Sequence, residues 1–449
     1  MNKKKIAIVG AGITGLCTAW NAEKHGANID LFDRKKLAGG VISTETDGEW
    51  RYELGPNTLL LKDPEIEALL EDLNLSERVE TANSEASKRF IVKDGELNQL
   101  PQSLTGFLKT PLFSGKAKLR LLKEPFVSTT DSQSTVAHFF EARFGKEILD
   151  YAVNPFIAGI HAGRPDQLSI KHAFPSIYNL EQEHGSVMKG GVRKLFNRNG
   201  GEKTKRRLIS FETGLHELPE KLTSGISNTF YDHDLERAEK QADGWYLQTN
   251  RGEYGPYDDV VITIPLHKWD SKKLPISSEQ LKKIKGVSYP PLSTMVLGYR
   301  KKDIEHPLDG FGFLVPEVEN RSILGALFTS TLFKNRAPED YHLLTVFAGG
   351  GRQPGIAEME SSDLLKLVQE DLKDLIGVNG EPVFKDHIFW PNSIPQYNTG
   401  YNEIYSIFEE LESNNVGLHF AGNFRRGISV PDCIKNGLTL GKNLANAPN

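Results

Sequence analysis

The stretch that most constrains this chain lies near its N-terminus. Ile6-Ala7-Ile8-Val9 is a short apolar run of the buried-strand type. It leads straight into Gly10-Ala11-Gly12-Ile13-Thr14-Gly15. A helix is expected from about residue 12 to residue 25, stopped by Gly26. A second strand is expected over residues 28–32, ending on Asp33. Each glycine in the turn has a task. Gly10 permits the tight turn, Gly12 lets a pyrophosphate approach the backbone, and Gly15 lets the helix pack on the strand. The first N–H groups of the helix have no partner inside it and suit phosphate. Asp33 comes 21 residues after Gly12, where a ribose-binding acid belongs. A glycine-rich turn in an unrelated α/β fold is the plainer alternative. The Lys-rich residues 3–5 before this apolar run also outline a secretory signal, but three glycines and the want of a small-residue cleavage site after Trp20 argue against it.

Composition narrows the field. A chain of 449 residues suggests two to three domains. Lys and Arg number 54 against 59 Asp and Glu, so there is no global pull toward nucleic acid. Two cysteines, Cys17 and Cys433, exclude a disulfide scaffold and a cysteine-based zinc site, and suit a reducing compartment. The histidines lack the spacing of a metal site, so no metal is expected.

The far end of the chain offers a matching piece. His419-Phe420-Ala421-Gly422-Asn423 reads as a strand entering a glycine turn, and residues 427–436 lead into a closing helix. A second helix N-terminus is thereby expected to reach the cofactor. A dinucleotide gripped by both ends of a chain is long and buried, which favours FAD, held non-covalently.

Further blocks carry a resemblance. They are Ala38-Gly39-Gly40; Gly55-Pro56-Asn57-Thr58; Asn154-Pro155-Phe156-Ile157-Ala158-Gly159; Leu168-Ser169; Ala173-Phe174-Pro175; Gly214-Leu215-His216-Glu217-Leu218-Pro219; Leu324-Gly325-Ala326-Leu327-Phe328; Asn335-Arg336-Ala337-Pro338; and Gly427-Ile428-Ser429-Val430-Pro431-Asp432-Cys433. Over nearly its whole length the chain resembles the oxygen-dependent protoporphyrinogen oxidase family, within the FAD-dependent amine oxidase superfamily. The resemblance implies an α/β fold: an FAD-binding Rossmann-type domain interleaved with a mixed-sheet substrate domain and a small helical domain. The implied segments are residues 1–84, 204–305 and 406–449 for FAD, 85–130 and 306–405 for substrate, and 131–203 for the helical, membrane-facing part.

The implied reaction oxidises protoporphyrinogen IX to protoporphyrin IX with molecular oxygen, in haem synthesis. Coproporphyrinogen III oxidation by the same chemistry is the alternative. The hard chemistry belongs to the cofactor, and no general base stands out. Arg89 matches the family arginine that pairs a substrate propionate. Leu314, Leu327 and Phe347 match residues that sandwich the rings, and Gly159 a backbone carbonyl facing them, with Gly163 as its competitor. Without the resemblance, these would read as an exposed arginine and plain core. The residues implied for FAD are Gly10, Ala11, Gly12, Ile13, Thr14, Gly15, Asp33, Arg34, Gly39, Gly40, Gly55, Pro56, Asn57, Thr58, Leu235, Trp390, Ala421, Gly422, Ile428, Ser429 and Val430. Two departures from the family pattern stand out. Asp33 replaces a frequent Glu, and Leu37-Ala38 replaces a basic residue that Arg34, Lys35 or Lys36 would have to substitute.

Secondary structure is expected as follows. A helix starts at Asp63-Pro64, a hairpin spans residues 88–100, and Ser134 caps a helix ended by Gly145. Residues 230–250 read as a meander, residues 260–264 as a strand, and 311–315, 323–328 and 343–347 as three more. Residues 364–376 form an amphipathic helix. Residues 97–123 hold Lys109, Lys116, Lys118, Arg120 and Lys123, no acid, and interleaved leucines and phenylalanines. Such a stretch lies on an anionic membrane or forms a solvated basic face over a buried stripe. With the resemblance, it points to a cytoplasmic protein peripherally attached to the inner face of the membrane; a homodimer is also compatible. Three rivals are weighed. An amine oxidase is disfavoured by Arg425-Arg426, a carotenoid desaturase leaves Arg89 without a partner, and a non-catalytic flavin- or haem-carrying protein would bind without turnover.

Overall fold

The structure is a computed structural model that describes residues 3–196 and 206–447. The expected boundary near residue 203 lies outside them. The N-terminal unit forms as its pattern predicts. Strand Lys5–Val9 is followed by helix Ile13–Lys24 and strand Asn28–Phe32. These strands lie in a five-stranded parallel sheet ordered Asn228–Phe230, Asn28–Phe32, Lys5–Val9, Asp259–Ile262, Leu418–Phe420. Ile6, Ala7 and Ile8 are wholly buried because both faces of the sheet are covered. One face carries the first helix and the last, Val430–Asn446. The other carries an antiparallel meander, Leu235–Gln241, Gly244–Thr249 and Gly252–Tyr257, through Trp245 and Leu247. The meander expected from residue 230 therefore starts later. Phe230 instead pairs with Phe32 in the parallel sheet and stacks on it at 4.9 Å.

The first and last helices approach closely through glycine. A Cβ on Gly437 would lie 2.5 Å from the carbonyl oxygen of Thr14, and one on Gly441 2.4 Å from that of Thr18. Asn21 Nδ2 donates to the carbonyl of Leu438 at 2.6 Å.

A seven-stranded sheet runs Phe384–Trp390, Leu292–Arg300, Tyr341–Gly349, Ile323–Leu327, Gly312–Leu314, Arg89–Lys93, Glu96–Gln99. Phe90, Phe313, Ala326 and Val346 point to one side, into a core with Leu364, Val368 and Leu372 of helix Ser361–Ile376. Strand Leu292–Arg300 pairs along its length inside this sheet, with Tyr341–Gly349 and Phe384–Trp390. The segment expected to stay in the cofactor domain up to residue 305 thus crosses into the other sheet before Leu292. A strand with a near-continuous buried run suits either sheet, so the crossing is invisible in sequence.

Residues 104–196 supply the helices beside this sheet. Helix Val136–Phe144 is capped by Thr135, whose Oγ1 accepts from His138 N at 3.1 Å, rather than by Ser134. The Ser134 carbonyl instead accepts from Ile170 N. Helices Asn154–His161, Pro175–His184 and Val187–Phe196 follow. A buried charge cluster ties them together. Arg143 donates through Nη1 to Glu124 at 2.7 Å and through Nε to Glu181 at 3.0 Å, and all three side chains are fully buried. Thr130 N and Oγ1 donate to Glu181, and Val187 N to Glu124. Removing one member of such a cluster strands the others without a counter-charge. Arg143→Met is expected to destabilise this region by about 3–5 kcal/mol, read as an earlier loss of helical signal in a urea titration. An unchanged midpoint would contradict the role given to the cluster.

Candidate active site

The cofactor end is built from backbone. Gly10 adopts φ +113°, and its N–H donates to the carbonyl of Phe32 at 2.7 Å, closing the turn onto the second strand. A Cβ on Gly15 would sit 1.9 Å from the Gly10 carbonyl oxygen, so the helix lies on the turn itself. Gly12 is different: a Cβ there meets nothing within 4 Å. The helix N-terminus behind it has no side-chain cap and no acid in its first turn, although Ile13 and Thr14 are buried. Unsatisfied, buried N–H groups facing open space are a cradle for an anion. Gly39 N donates to the carbonyl of Ala11 at 2.8 Å, which brings Ala38-Gly39-Gly40 against the turn.

Asp33 accepts from Ala11 N at 2.6 Å and Lys35 N at 2.7 Å, so the shortened acid is drawn onto the turn. Arg34 is exposed beside it. Lys35 Nζ donates to the carbonyl of Gly40 at 3.0 Å, spanning the place of the family's missing basic residue. The last helix carries its own cap. Ser429 caps it by accepting from Asp432 N, and Asp432 stands in its first turn. Of the two termini, the one at Gly12 is the one without a side-chain cap. Ala421, Gly422, Ile428 and Val430 surround that capped turn; Ala421 N donates to the carbonyl of Ile262 at 3.1 Å. Leu235 is not brought to the open side. Its side chain is buried in the core with Phe32 and Trp245, because an apolar residue at a strand start beneath two aromatics gains most there.

Further along, Trp390 Nε1 donates to the carbonyl of Leu54 at 3.1 Å, bracing the turn Gly55-Pro56-Asn57-Thr58. Asn57 Nδ2 donates to the carbonyl of Gly55, while its Oδ1 is buried without a partner. A buried acceptor left unpaired costs free energy unless a ligand donates to it. The uncapped terminus, the open side of Gly12 and this unpaired amide oxygen all fit FAD.

The substrate end lies on the second face of the seven-stranded sheet. Phe347 pairs with Gly325, Gly325 with Leu314, and Leu314 with Ile91. Leu327 pairs with Gly312, and Gly312 with Arg89. Paired residues share a face, as do residues two apart on one strand. Phe347, Leu314, Leu327 and Arg89 therefore stand together, opposite the Phe90 and Phe313 side. Gly159 rests on Leu314: a Cβ there would lie 2.6 Å from Leu314 Cδ2. Phe156 and Ile160 share that exposed side of helix Asn154–His161, and sequence reasoning missed them. Gly163 is filled from behind by Gln396, so Gly159 is the residue over the sheet. The Arg89 guanidinium lies 5.1 Å from the Phe311 ring and has no ion-pair partner among the described residues. Its neighbour Lys88 is paired with Asp309.

Two buried groups near this end titrate abnormally. Burial pushes Glu53 up to about 6, despite bonds from Thr44 Oγ1 and Leu215 N. Burial pushes His161 down to about 4, leaving it neutral with Nδ1 unpartnered.

These geometries describe a flavin-dependent oxidoreductase. Residues 13–440 match the family of flavin containing amine oxidoreductases, and the chain belongs to that family. It uses FAD. It is 32% identical over 470 aligned positions to protoporphyrinogen oxidase 2, chloroplastic/mitochondrial, of Arabidopsis thaliana, covering 97% of this chain and 92% of the relative. It is 27% identical to coproporphyrinogen III oxidase of Bacillus subtilis (strain 168), over 97% and 96% of the two chains. Among solved structures, an Exiguobacterium sp. 255-15 protein provisionally named protoporphyrinogen oxidase shares the fold with a TM-score of 0.83 at 24% identity, covering 99% of each chain.

Two outcomes are expected. Gly12→Val adds a side chain that meets no protein atom at its Cβ but fills the cradle, so the variant should fold and lose its FAD; full flavin occupancy by absorbance would overturn the assignment of the turn. His161 binds a proton in the unfolded chain below pH 6.5 but not in the folded protein until about pH 4. Stability should fall as pH drops through that window, by roughly 3 kcal/mol from this group. Denaturant titrations of His161→Phe should show a shallower fall between those limits.

Proposed function

We propose that the protein oxidises protoporphyrinogen IX to protoporphyrin IX, with molecular oxygen as final acceptor. The carrying observation is the sheet face that groups Leu314, Leu327 and Phe347, with Gly159 resting on Leu314, and holds Arg89 beside them without an ion-pair partner among the described residues. An apolar face suits a flat macrocycle, and a guanidinium suits a propionate. When bound, FAD accepts the hydride and passes electrons to oxygen. The chain's own part is to orient and to exclude water: Leu314 and Phe347 hold the ring flat, Arg89 fixes its rotation, and Trp390 and Asn57 set the edge nearest the cofactor turn. Protons from the porphyrinogen nitrogens leave to water.

The relatives are named for both protoporphyrinogen and coproporphyrinogen III oxidation. Coproporphyrinogen III brings two more carboxylates; on this face Lys93 is held by Glu147 at 3.3 Å and Arg89 has no ion-pair partner among the described residues, which favours the less acidic substrate. An amine oxidase reading loses support. Phe424 of the C-terminal turn is fully buried, and Arg425 is paired with Glu412 at 2.6 Å, so no aromatic from that turn frames an amine.

The same reading includes a membrane partner. Among the described residues no helix is long and apolar enough to cross a membrane. Residues 97–123 instead form short helices Leu104–Lys109 and Gly115–Arg120, with Leu112 and Phe113 buried. Leu104, Leu108, Leu119 and Leu122 are exposed, and Phe126 is 87% exposed. Helix Val187–Phe196 extends this patch: Lys189 lies 5.8 Å from the Phe126 ring, and Met188 and Val192 are exposed. Exposed leucines among lysines suit an anionic bilayer. Vesicles containing phosphatidylglycerol should sediment the protein, phosphatidylcholine vesicles should not, and Leu119→Asp with Leu122→Asp should abolish the difference. Equal sedimentation by both would remove the membrane from the reading.

The direct test is anaerobic flavin bleaching with protoporphyrinogen IX and coproporphyrinogen III in parallel, then air and porphyrin fluorescence. Rapid bleaching by the first is expected; none by either would overturn the reading. Arg89→Ala should keep its flavin and raise KM by roughly 10–100-fold, the loss of a charged hydrogen bond. Unchanged kinetics would remove Arg89 from the site.

A further inference from the structure

The tract Gly349-Gly350-Gly351-Arg352 follows the strand that carries Phe347. It grips helix Asn154–His161 at both ends. Gly351 N donates to the carbonyl of Ala162 at 2.7 Å, one residue beyond the helix. Arg352 Nη2 donates to the Asn154 carbonyl at 3.0 Å and to its Oδ1 at 2.5 Å. Arg352 Nη1 reaches across to the carbonyl of Val315 at 2.7 Å. Asn154 is fixed in turn. Its Oδ1 accepts from Glu317 N at 3.0 Å, and its Nδ2 donates to Glu317 Oε2 at 3.0 Å.

The glycines are needed for the grip. Gly350 has φ +64°, and a Cβ there would lie 2.8 Å from the Ala162 carbonyl oxygen. A Cβ on Gly349 would collide with Ala357 at 2.3 Å. Arg352 itself is poorly arranged for stability alone, since its Nε is buried without a partner.

The anchors lie beside the residues of the substrate face. Gly159 lies one and a half turns beyond Asn154, Leu314 immediately precedes Val315, and Phe347 sits on the strand feeding the loop. One guanidinium thus couples all three. We propose that Arg352 is a positioning residue: through Asn154 and Val315 it sets how helix Asn154–His161 rests on the sheet at Leu314, and so shapes the face offered to a flat macrocycle. Arg352 acts through its carbonyl partners, so neither the substrate nor the flavin need touch it. The inference rests on the porphyrinogen reading above.

The test uses FAD-loaded protein with Arg352→Gln, Arg352→Lys and Asn154→Ala. Four quantities are measured: flavin content, flavin reduction by dithionite, protoporphyrin IX binding by fluorescence, and KM and kcat for protoporphyrinogen IX. Flavin content and dithionite reduction should match wild type. The porphyrin Kd and the KM should rise about tenfold or more in Arg352→Gln, equivalent to some 1.4 kcal/mol. Arg352→Lys, which keeps one donor to either carbonyl, should recover part of the loss. The double variant Arg352→Gln with Asn154→Ala should lose little beyond the first, because both break one link. Asn154→Ala keeps the Val315 bond and carries the test if Arg352→Gln does not fold. Porphyrin affinity and KM equal to wild type would overturn the proposal, as would a loss of activity that follows flavin content alone. If wild type neither binds protoporphyrin nor oxidises its porphyrinogen, the substrate reading fails and takes this proposal with it; normal wild-type turnover with unaltered variants sinks the proposal alone.

Discussion

The whole arrangement depends on backbone meeting backbone around the first helix. Its start presses on the Gly10 turn through Gly15, and its side presses on the last helix through Gly437 and Gly441. At these three positions any side chain would hold the surfaces apart, and the N–H groups at Gly12 would no longer be gathered at the end of the parallel sheet. Cys17 and Cys433 pack in the same seam, where burial raises both thiols well above their ordinary range and leaves them unreactive at neutral pH. Free cysteine here is a small apolar filler between helices.

Cofactor and substrate ends follow different physical rules. The cofactor end offers peptide dipoles and an unpaired amide oxygen, with Asp33 and Lys35 as its charged side chains. The substrate end offers apolar surface and one guanidinium. A fully buried charge cluster lies elsewhere, around Arg143 among the helices. There a single arginine shared by Glu124 and Glu181 ties the stretch before residue 130 to the helices after it. The basic, leucine-bearing surface and the helix that carries Gly159 are thus parts of one packed unit.

How much of this was legible follows from range. The strand, turn, helix and acid of residues 5–33 are set by neighbours, so sequence located them within a residue or so. The hairpin at Arg89 and the helix at Pro64 were legible for the same reason. Thr135 displaced Ser134 as cap because Ser134's carbonyl is taken by Ile170, a contact no local pattern reveals. Leu292–Arg300 joined the other sheet because strand pairing over tens of residues leaves no mark in the local pattern. The shared face of Arg89, Leu314, Leu327 and Phe347 needs the register of four strands at once, and only the resemblance singled those residues out beforehand. Arg352 and Ile160 escaped for want of any such guide, while Asn154 and Phe156 were marked only as part of a block that carried the resemblance. A triple glycine before an arginine was the one available signal for the first of them.

The seam between the first and last helices has a consequence for biogenesis. The cradle at Gly12 is encoded at the very start, yet its supporting wall is Val430–Asn446. During synthesis the early segment must wait, incomplete, through more than 400 intervening residues. The cradle is therefore complete only once Val430–Asn446 has packed against the first helix. A chain interrupted before its final helix would carry the whole fingerprint and still be unable to hold its cofactor.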